Sequence, residues 1–538
     1  MPRTYAIHPG IGIARLGDSP DDYFVGPEAP GCAPLLAKPD FPGASDGQYK
    51  DAEGRIKRQG ARFRIFEMTS DDTGTRTEIR EITAADARIE WVVHLKNMKA
   101  AAPAFTFTTE ETPVRRNHGI PEQQLVIDAS VHRVAGPDRG FVRLHGSFHD
   151  IEVPLGDLLT DRSGRLIVLG GFGQSRSVHT KPLQNFVNND GWCDDVSDGP
   201  VRAMIQLNGS AEIIEPEPAW VIVAPPDFAP AVENVVTLYD VVYNMMAKFV
   251  DPSLAVTKDT VVSFSRDIYP ILRRPSMLHW VSDVANAGHG PEARMHFLSR
   301  IPQLASNSHE AASLRSFIFK KLRTPSGAGG NMPKLPAALT EEGAIDASVA
   351  LTDCQHARMR RWAEGTFEAD WPENGVLPSP VRLEDLPPHD MPAALDRAAL
   401  EACVGGGFFP GIEVSRIMLA QSTYSATTPF RISPRLQPGA LTAQMAVPWQ
   451  ADFFECALQP DADNPQNGMD WWPGQRPVNV FRGGAERQDW AAGIDSKDAM
   501  VQQWSALGFI VKEPGTDRLI ETERSTERLE RDDTSPTS

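Results

Sequence analysis

The sequence predicts an α+β protein, with a β-rich N-terminal half carrying long loops and a mainly helical C-terminal half. Three observations predict it. Short alternating or β-branched runs, bounded by Gly, Pro and Asp, recur through residues 1–235. Apolar spacing at helical period replaces them from Val236 onward. The 45 prolines and 42 glycines imply long, ordered connections rather than tight helical repeats. A chain of 538 residues exceeds one small core, so two domains are expected, 1–235 and 236–520, followed by a polar flexible tail, 521–538.

In order, Tyr5–Gly17 reads as a strand entering a glycine-rich loop. Arg62–Glu67 alternates like a half-buried strand, and Glu90–Leu95 is rich in β-branched and aromatic residues. Further strands are expected at Gln124–Ile127, Val142–Phe148, Arg165–Leu169 and Ala219–Val223. Helical spacing appears at Val236–Phe249, Ile268–Val281, Ala311–Leu322, Thr352–Ala363, Ala393–Cys403 and Lys497–Leu507. A last strand is expected at Gly508–Val511.

The formal net charge of −18 argues against a nucleic-acid or anionic-membrane surface, since phosphate binding needs a basic patch. No window is long and apolar enough to span a bilayer, and the N-terminus has no apolar signal core. Synthesis in the cytoplasm is expected, with export by a non-standard route left open. The five cysteines, Cys32, Cys193, Cys354, Cys403 and Cys456, form no C-x-x-C pair, so no zinc or redox motif is present.

Several local patterns contain residues capable of chemistry. Gly170-Gly171-Phe172-Gly173-Gln174-Ser175 has Arg176 where a dinucleotide loop needs its third glycine, so a structural turn is expected. Asn188–Pro200 is rich in carboxylates but lacks the spacing of a calcium loop, and reads as Asx turns. His145 and His149 lie on a strand, about 13 Å apart, too far to share an ion. No metal site is expected. Cys403 precedes a glycine run that leads to Glu413. This is either a helix cap over a buried thiol or a wall of a substrate pocket in which Glu413 faces a cation.

One stretch combines rarer chemistry. In Trp449–Cys456, Asp452 precedes a thiol by four residues, one helical turn, and Trp471, Trp472, Trp490 and Trp504 follow. A carboxylate beside a thiol raises the thiol pKa, which suits a sulfur that reacts once to form a cross-link better than a turnover nucleophile. From residue chemistry alone a buried aromatic core is the better explanation of the stretch, because most free cysteines are buried packing residues.

The chain resembles the quinoprotein amino-acid oxidases of the L-lysine ε-oxidase and glycine oxidase type. The resemblance rests on Ile7–Gly17, Asp22–Glu28, Ile56–Ile65, Asp190–Trp192, Asp194–Val201, Gly405–Glu413, Pro448–Phe453, Trp471–Pro477 and Trp504–Ile510, in one order. It implies a protein-derived cysteine tryptophylquinone, a thioether between a Cys and an oxidised Trp. Cys456 matches the quinone cysteine and Asp452 the active-site aspartate. The ring donor matches Trp504, 48 residues beyond the cysteine, with Trp472 and Trp471 as alternatives.

The activity implied is oxidative deamination of a primary amine, with the ε-amine of L-lysine as first substrate. Asp452 takes the carbon-bound proton, and dioxygen takes the electrons to leave hydrogen peroxide and ammonia. Glycine or another amino acid is the alternative substrate. A family-shaped protein whose quinone never forms is the alternative from another class. The resemblance also implies a flavoprotein maturation partner, and a homo-oligomer is expected.

Overall fold

In the computed structural model the described residues are 3–526 and 529, apart from 37, 39–46, 71–75, 107–112, 327–328, 331, 333–349, 406–410, 456–457, 460–468 and 471–473. The N-terminal half supplies β1 (Arg3–His8), β2 (Ile11–Arg15), β3 (Tyr23–Val25), β4 (Arg58–Ser70), β5 (Arg76–Ile82), β6 (Ala87–Asn97) and β7 (Ile127–Ala135). It continues with β8 (Val142–Phe148), β9 (Ile151–Thr160), β10 (Leu166–Gly170), β11 (Arg176–Ser177), β12 (Trp192–Cys193), β13 (Ser197–Leu207) and β14 (Ala219–Ala224). Twelve of these strands form one sheet, in the order β7-β6-β13-β14-β2-β4-β10-β9-β8, with β1, β3 and β5 paired to β4.

The sheet nearly closes. Its end strands β7 and β8 lie against each other where Gly146 meets Asp128: a Cβ at 146 would fall 2.7 Å from the Asp128 amide nitrogen. Glycine is therefore required there for the two strands to approach.

The helical half follows. Leu238–Phe249 opens on a capping box of Thr237 and Asp240, and Asp353–Glu364 on one of Thr352 and Gln355. Met391–Glu401, Trp449–Glu455 and Lys497–Gln503 complete the helices used below. Two sequence expectations need correction. The strand expected at Gln124–Ile127 is a 3-10 turn over Glu122–Gln124, because Leu125 and Val126 donate back to the Glu122 carbonyl at 2.9 and 3.0 Å; β7 starts only at Ile127. The helix expected over Ile268–Val281 is broken into a π turn, the α-helix Tyr269–Met277 and a 3-10 turn, with Pro275 removing a donor near its end.

Side-chain alternation along β14 divides the interior. All six residues of β14 are buried, as expected of a strand covered on both faces. Trp220 and Ile222 pack with Ile11 and Ile13 into a cluster with the helices from Leu238 onward. Val221 and Val223 face the other way, into a cluster that contains Trp449, Phe453, Trp490, Trp504 and Phe509. The C-terminal aromatic segment is thus seated on one face of the N-terminal sheet. At the start of the stretch expected to be a polar tail, Glu521 lies in the strand Leu519–Thr522 and is 7% exposed, in ion pairs with Arg482 and Arg524. No helix among the described residues is long and apolar enough to cross a membrane.

Candidate active site

The helix Trp449–Glu455 organises the site. Its start is held by a buried carboxylate from the segment before β13. Asp194 Oδ2 accepts the Trp449 amide at 2.9 Å, and the same oxygen pairs with Lys99 Nζ at 2.5 Å. Asn97 Nδ2 donates to Asp194 Oδ1 at 2.9 Å. The amides of a helix's first turn have no partner within the helix, and the positive end of the helix favours an anion there. Lys99 and Asp194 are both fully buried, and burial holds the Lys99 ammonium below its usual pKa. Removing either partner would strand a charge in the interior.

One turn in, Asp452 is 3% exposed on this helix. The helix ends at Glu455, which pairs with Lys497 at the first residue of the helix Lys497–Gln503. That second helix leads directly into Trp504, which is 4% exposed. The indole of Trp504 meets that of Trp449 edge-on, with ring centroids 5.3 Å apart and planes at 73°. Asp452 and Trp504 are thereby brought to one neighbourhood by two helices joined at Glu455. Cys456, Trp471 and Trp472 lie outside the described residues.

Trp490, which the sequence shows in the same dense run, has a different setting. Its Nε1 donates to the Gly508 carbonyl at 3.0 Å, its ring lies 4.9 Å from Phe228 and 6.4 Å from Phe453, and the Arg476 guanidinium sits over it at 5.2 Å. It is a packed core residue.

Cys403 and Glu413 do come together. Arg15 of β2 donates to Glu413 Oε1 at 2.9 Å and approaches Cys403 Sγ at 3.7 Å. The cation that Glu413 faces is therefore Arg15 of the same chain. Burial pushes the Cys403 thiol well above its usual pKa, so it is held as a thiol, and burial also raises Glu413. The cluster connects to the Trp449 helix through Gln475, which donates to Ala402 O at 3.2 Å and accepts the Phe228 amide, while Phe228 packs on Phe453 at 5.9 Å.

The carboxylates of Asn188–Pro200 are each engaged by protein donors. Asp190 accepts the Asn117 amide at 2.6 Å, and Asp198 accepts from Thr442 and Trp220. Asp195 accepts the Gln174 amide at 3.1 Å. Burial first, then the neighbouring Asp194, raises the Asp195 carboxyl to about 7. No group of three or more metal-ligating side chains is found among the described residues. The sequence marks this stretch only as turns and does not by itself point to Asp194, Asp195, Lys99 or Gln450. The available signals are the Asp194–Val201 match and, for Gln450, the Pro448–Phe453 match; four carboxylates within nine residues give no indication of their burial.

A β-rich half seats an aromatic C-terminal segment, with a buried Asp on the helix that precedes Cys456, and the proteins that share this fold are oxidoreductases. The chain belongs to the L-lysine ε-oxidase family: models of its N-terminal part and C-terminal domain match residues 8–223 and 327–472. It is 27% identical over 684 aligned positions to an L-lysine 6-oxidase of Marinomonas mediterranea, covering 97% of this chain and 90% of that one. The solved ε-lysine oxidase of that organism superposes with a TM-score of 0.79 at 25% identity, covering 97% of this chain and 95% of the other. A second structure, described as the Schiff base intermediate of that oxidase with L-Lys, gives a TM-score of 0.77 at 25% identity and the same coverage.

Proposed function

We propose that this chain is an amino-acid oxidase whose cofactor, a cysteine tryptophylquinone, is made from Cys456 and Trp504, with Asp452 as the base. The observation that carries the reading is the seat of the Trp504 ring. It lies against Trp449, at the start of the helix that bears Asp452 and ends one residue before Cys456. The surroundings fit such a group. The Trp449 indole nitrogen is buried beside that ring with no hydrogen-bond partner among the described residues, so an oxygen on the ring would have a donor nearby. The first substrate is L-lysine at its ε-amine, because the relatives are L-lysine oxidases; glycine or another amino acid is the alternative.

When formed, the quinone supplies an electrophilic carbonyl and an electron sink. The rest is the work of this chain's own side chains. Asp452 removes the carbon-bound proton from the amine-bearing carbon, a task that requires an ionised carboxylate within hydrogen-bond reach. Lys99 and Asp194 hold the helix that carries it, and the packed aromatic cluster keeps bulk water from the ring. Dioxygen accepts the two electrons and leaves as hydrogen peroxide, and water releases ammonia and an aldehyde or oxo acid. Maturation by a flavoprotein and assembly into a homo-oligomer belong to the same proposal.

Peptide mass spectrometry of protein made in its own host tests it. A thioether joining Cys456 to Trp504, with two added oxygens on the ring, is expected. Unmodified Cys456 and Trp504 would leave the chain a non-catalytic relative, and a modified Trp471 or Trp472 would move the ring donor. Peroxide release across a panel of amino acids then identifies the substrate; glycine-active, lysine-inactive protein would replace L-lysine.

A further inference from the structure

The loop after β10, Gly171–Ser175, also touches the Trp504 ring. Gly173 has φ +70°, and a Cβ built on it would fall 2.1 Å from Cζ2 and 2.7 Å from Cη2 of Trp504. Both atoms belong to the six-membered ring of the indole. No side chain fits there, and the backbone itself forms the wall of the ring's seat.

This wall is held from two directions. From the helix Trp449–Glu455, Gln450 Nε2 donates to the Gly173 carbonyl at 2.9 Å, while Gln450 Oε1 accepts from Ser175 Oγ at 2.6 Å. From the segment before β13, Asp195 Oδ2 accepts the amide of Gln174, the next residue, at 3.1 Å. Gln450 and Asp195 are both fully buried. Asp195 Oδ1 has no partner among the described residues, an expensive arrangement in a protein interior. Gln450 spends both ends of its amide on this one loop, two residues before Asp452 on the same helix. The loop and the base therefore share one support.

We propose that Gly173, held by Gln450 and Asp195, is the positioning element that sets the plane of the Trp504 ring against the Asp452 helix. This rests on Trp504 being the ring donor. Neither Gly173 nor its two holders touches the reacting atoms of a substrate in this proposal; they act through the ring. A side chain at 173 would push the ring away from its seat. Loss of the Gln450 amide would let the loop retreat and leave the ring free to tilt.

The test compares wild type, Gly173→Ala and Gln450→Leu, each co-produced with the maturation partner. Folding is followed by far-UV circular dichroism and thermal melting, and the Cys456–Trp504 cross-link is quantified by peptide mass. For folded Gly173→Ala, the cross-linked fraction should fall at least tenfold. For Gln450→Leu, which preserves volume, the visible absorption band of the cross-linked fraction should shift and its kcat should fall with KM little changed. If Gly173→Ala does not fold, Gln450→Leu decides. A wild-type cross-linked fraction in folded Gly173→Ala, or a wild-type band and kcat in Gln450→Leu, overturns the proposal. Wild-type protein modified at Trp471 or Trp472 instead removes the ring-donor assignment, and this proposal with it; that outcome is visible before either variant is examined.

Discussion

Asp452 is where burial and chemistry meet. At 3% exposure on a helix that runs toward Cys456, it has the placement of a base shielded from bulk water. Asp452→Asn keeps the shape and removes the proposed base, so kcat should drop by about 100-fold or more, as expected on losing a general base. The cross-linked fraction should fall too; full activity would remove Asp452 from the mechanism. Cys403→Ser should leave the thioether intact, because the Cys403 sulfur sits with Arg15 and Glu413. Loss of the cross-link in that variant would show that the wrong cysteine was chosen. Asp195 offers a pH test. Its carboxyl titrates at about 7 in the fold, against the usual 3.8. The folded chain therefore keeps a proton that the unfolded chain releases, and stability at this group falls as pH rises from about 4 to about 7. Asp195→Asn lacks that loss. Its melting temperature relative to wild type should rise by several degrees between pH 5 and pH 8, and a difference independent of pH would contradict the raised carboxyl.

At the scale of elements, the Trp449–Glu455 helix is too short to be stable alone, and its position depends on what holds its two ends. Asp194 and Lys99 hold the first, and the Glu455–Lys497 pair holds the last. The Asp194–Lys99 pair is fully buried, so breaking it costs far more than losing a surface pair. Lys99→Met should destabilise the fold by about 3–5 kcal/mol. The double variant Lys99→Met with Asp194→Asn should recover part of that loss, since it no longer buries a lone charge. Denaturant titration of wild type, Lys99→Met, Asp194→Asn and the double variant checks this; additive losses would deny the coupling. The Glu455–Lys497 pair is partly solvated and should matter less for stability than for where Trp504 sits.

Across the whole molecule, strand β14 joins what the composition pattern separates. Val221 and Val223 share a cluster with Trp449, Phe453 and Trp504, while Trp220 and Ile222 share one with the helices from Leu238. Packing that crosses residue 235 in both directions couples the two halves. Unfolding should therefore appear as one transition, with tryptophan fluorescence and far-UV circular dichroism coinciding in denaturant. Two separated transitions would mean that the halves unfold independently.

What the sequence determined by itself was local and periodic. Alternation and β-branching placed β6, β8 and β14, and helical spacing at Val236–Phe249 and Thr352–Ala363 placed the helices Leu238–Phe249 and Asp353–Glu364, because those signals are written within a few residues. The Asp452-to-Cys456 spacing was likewise legible, being a property of one turn. The tertiary structure alone decided which distant groups serve that turn. Lys99, Asp194, Asp195 and Gly173 lie hundreds of residues before Trp449 and Trp504, and no periodicity links them. Only folding buries the Lys99–Asp194 pair beneath the Trp449 amide and brings Gly173 against the Trp504 ring. The physical reason is that burial and desolvation, which set the charge on Asp195 and the cost of an unpaired Asp194, depend on what surrounds a side chain in space.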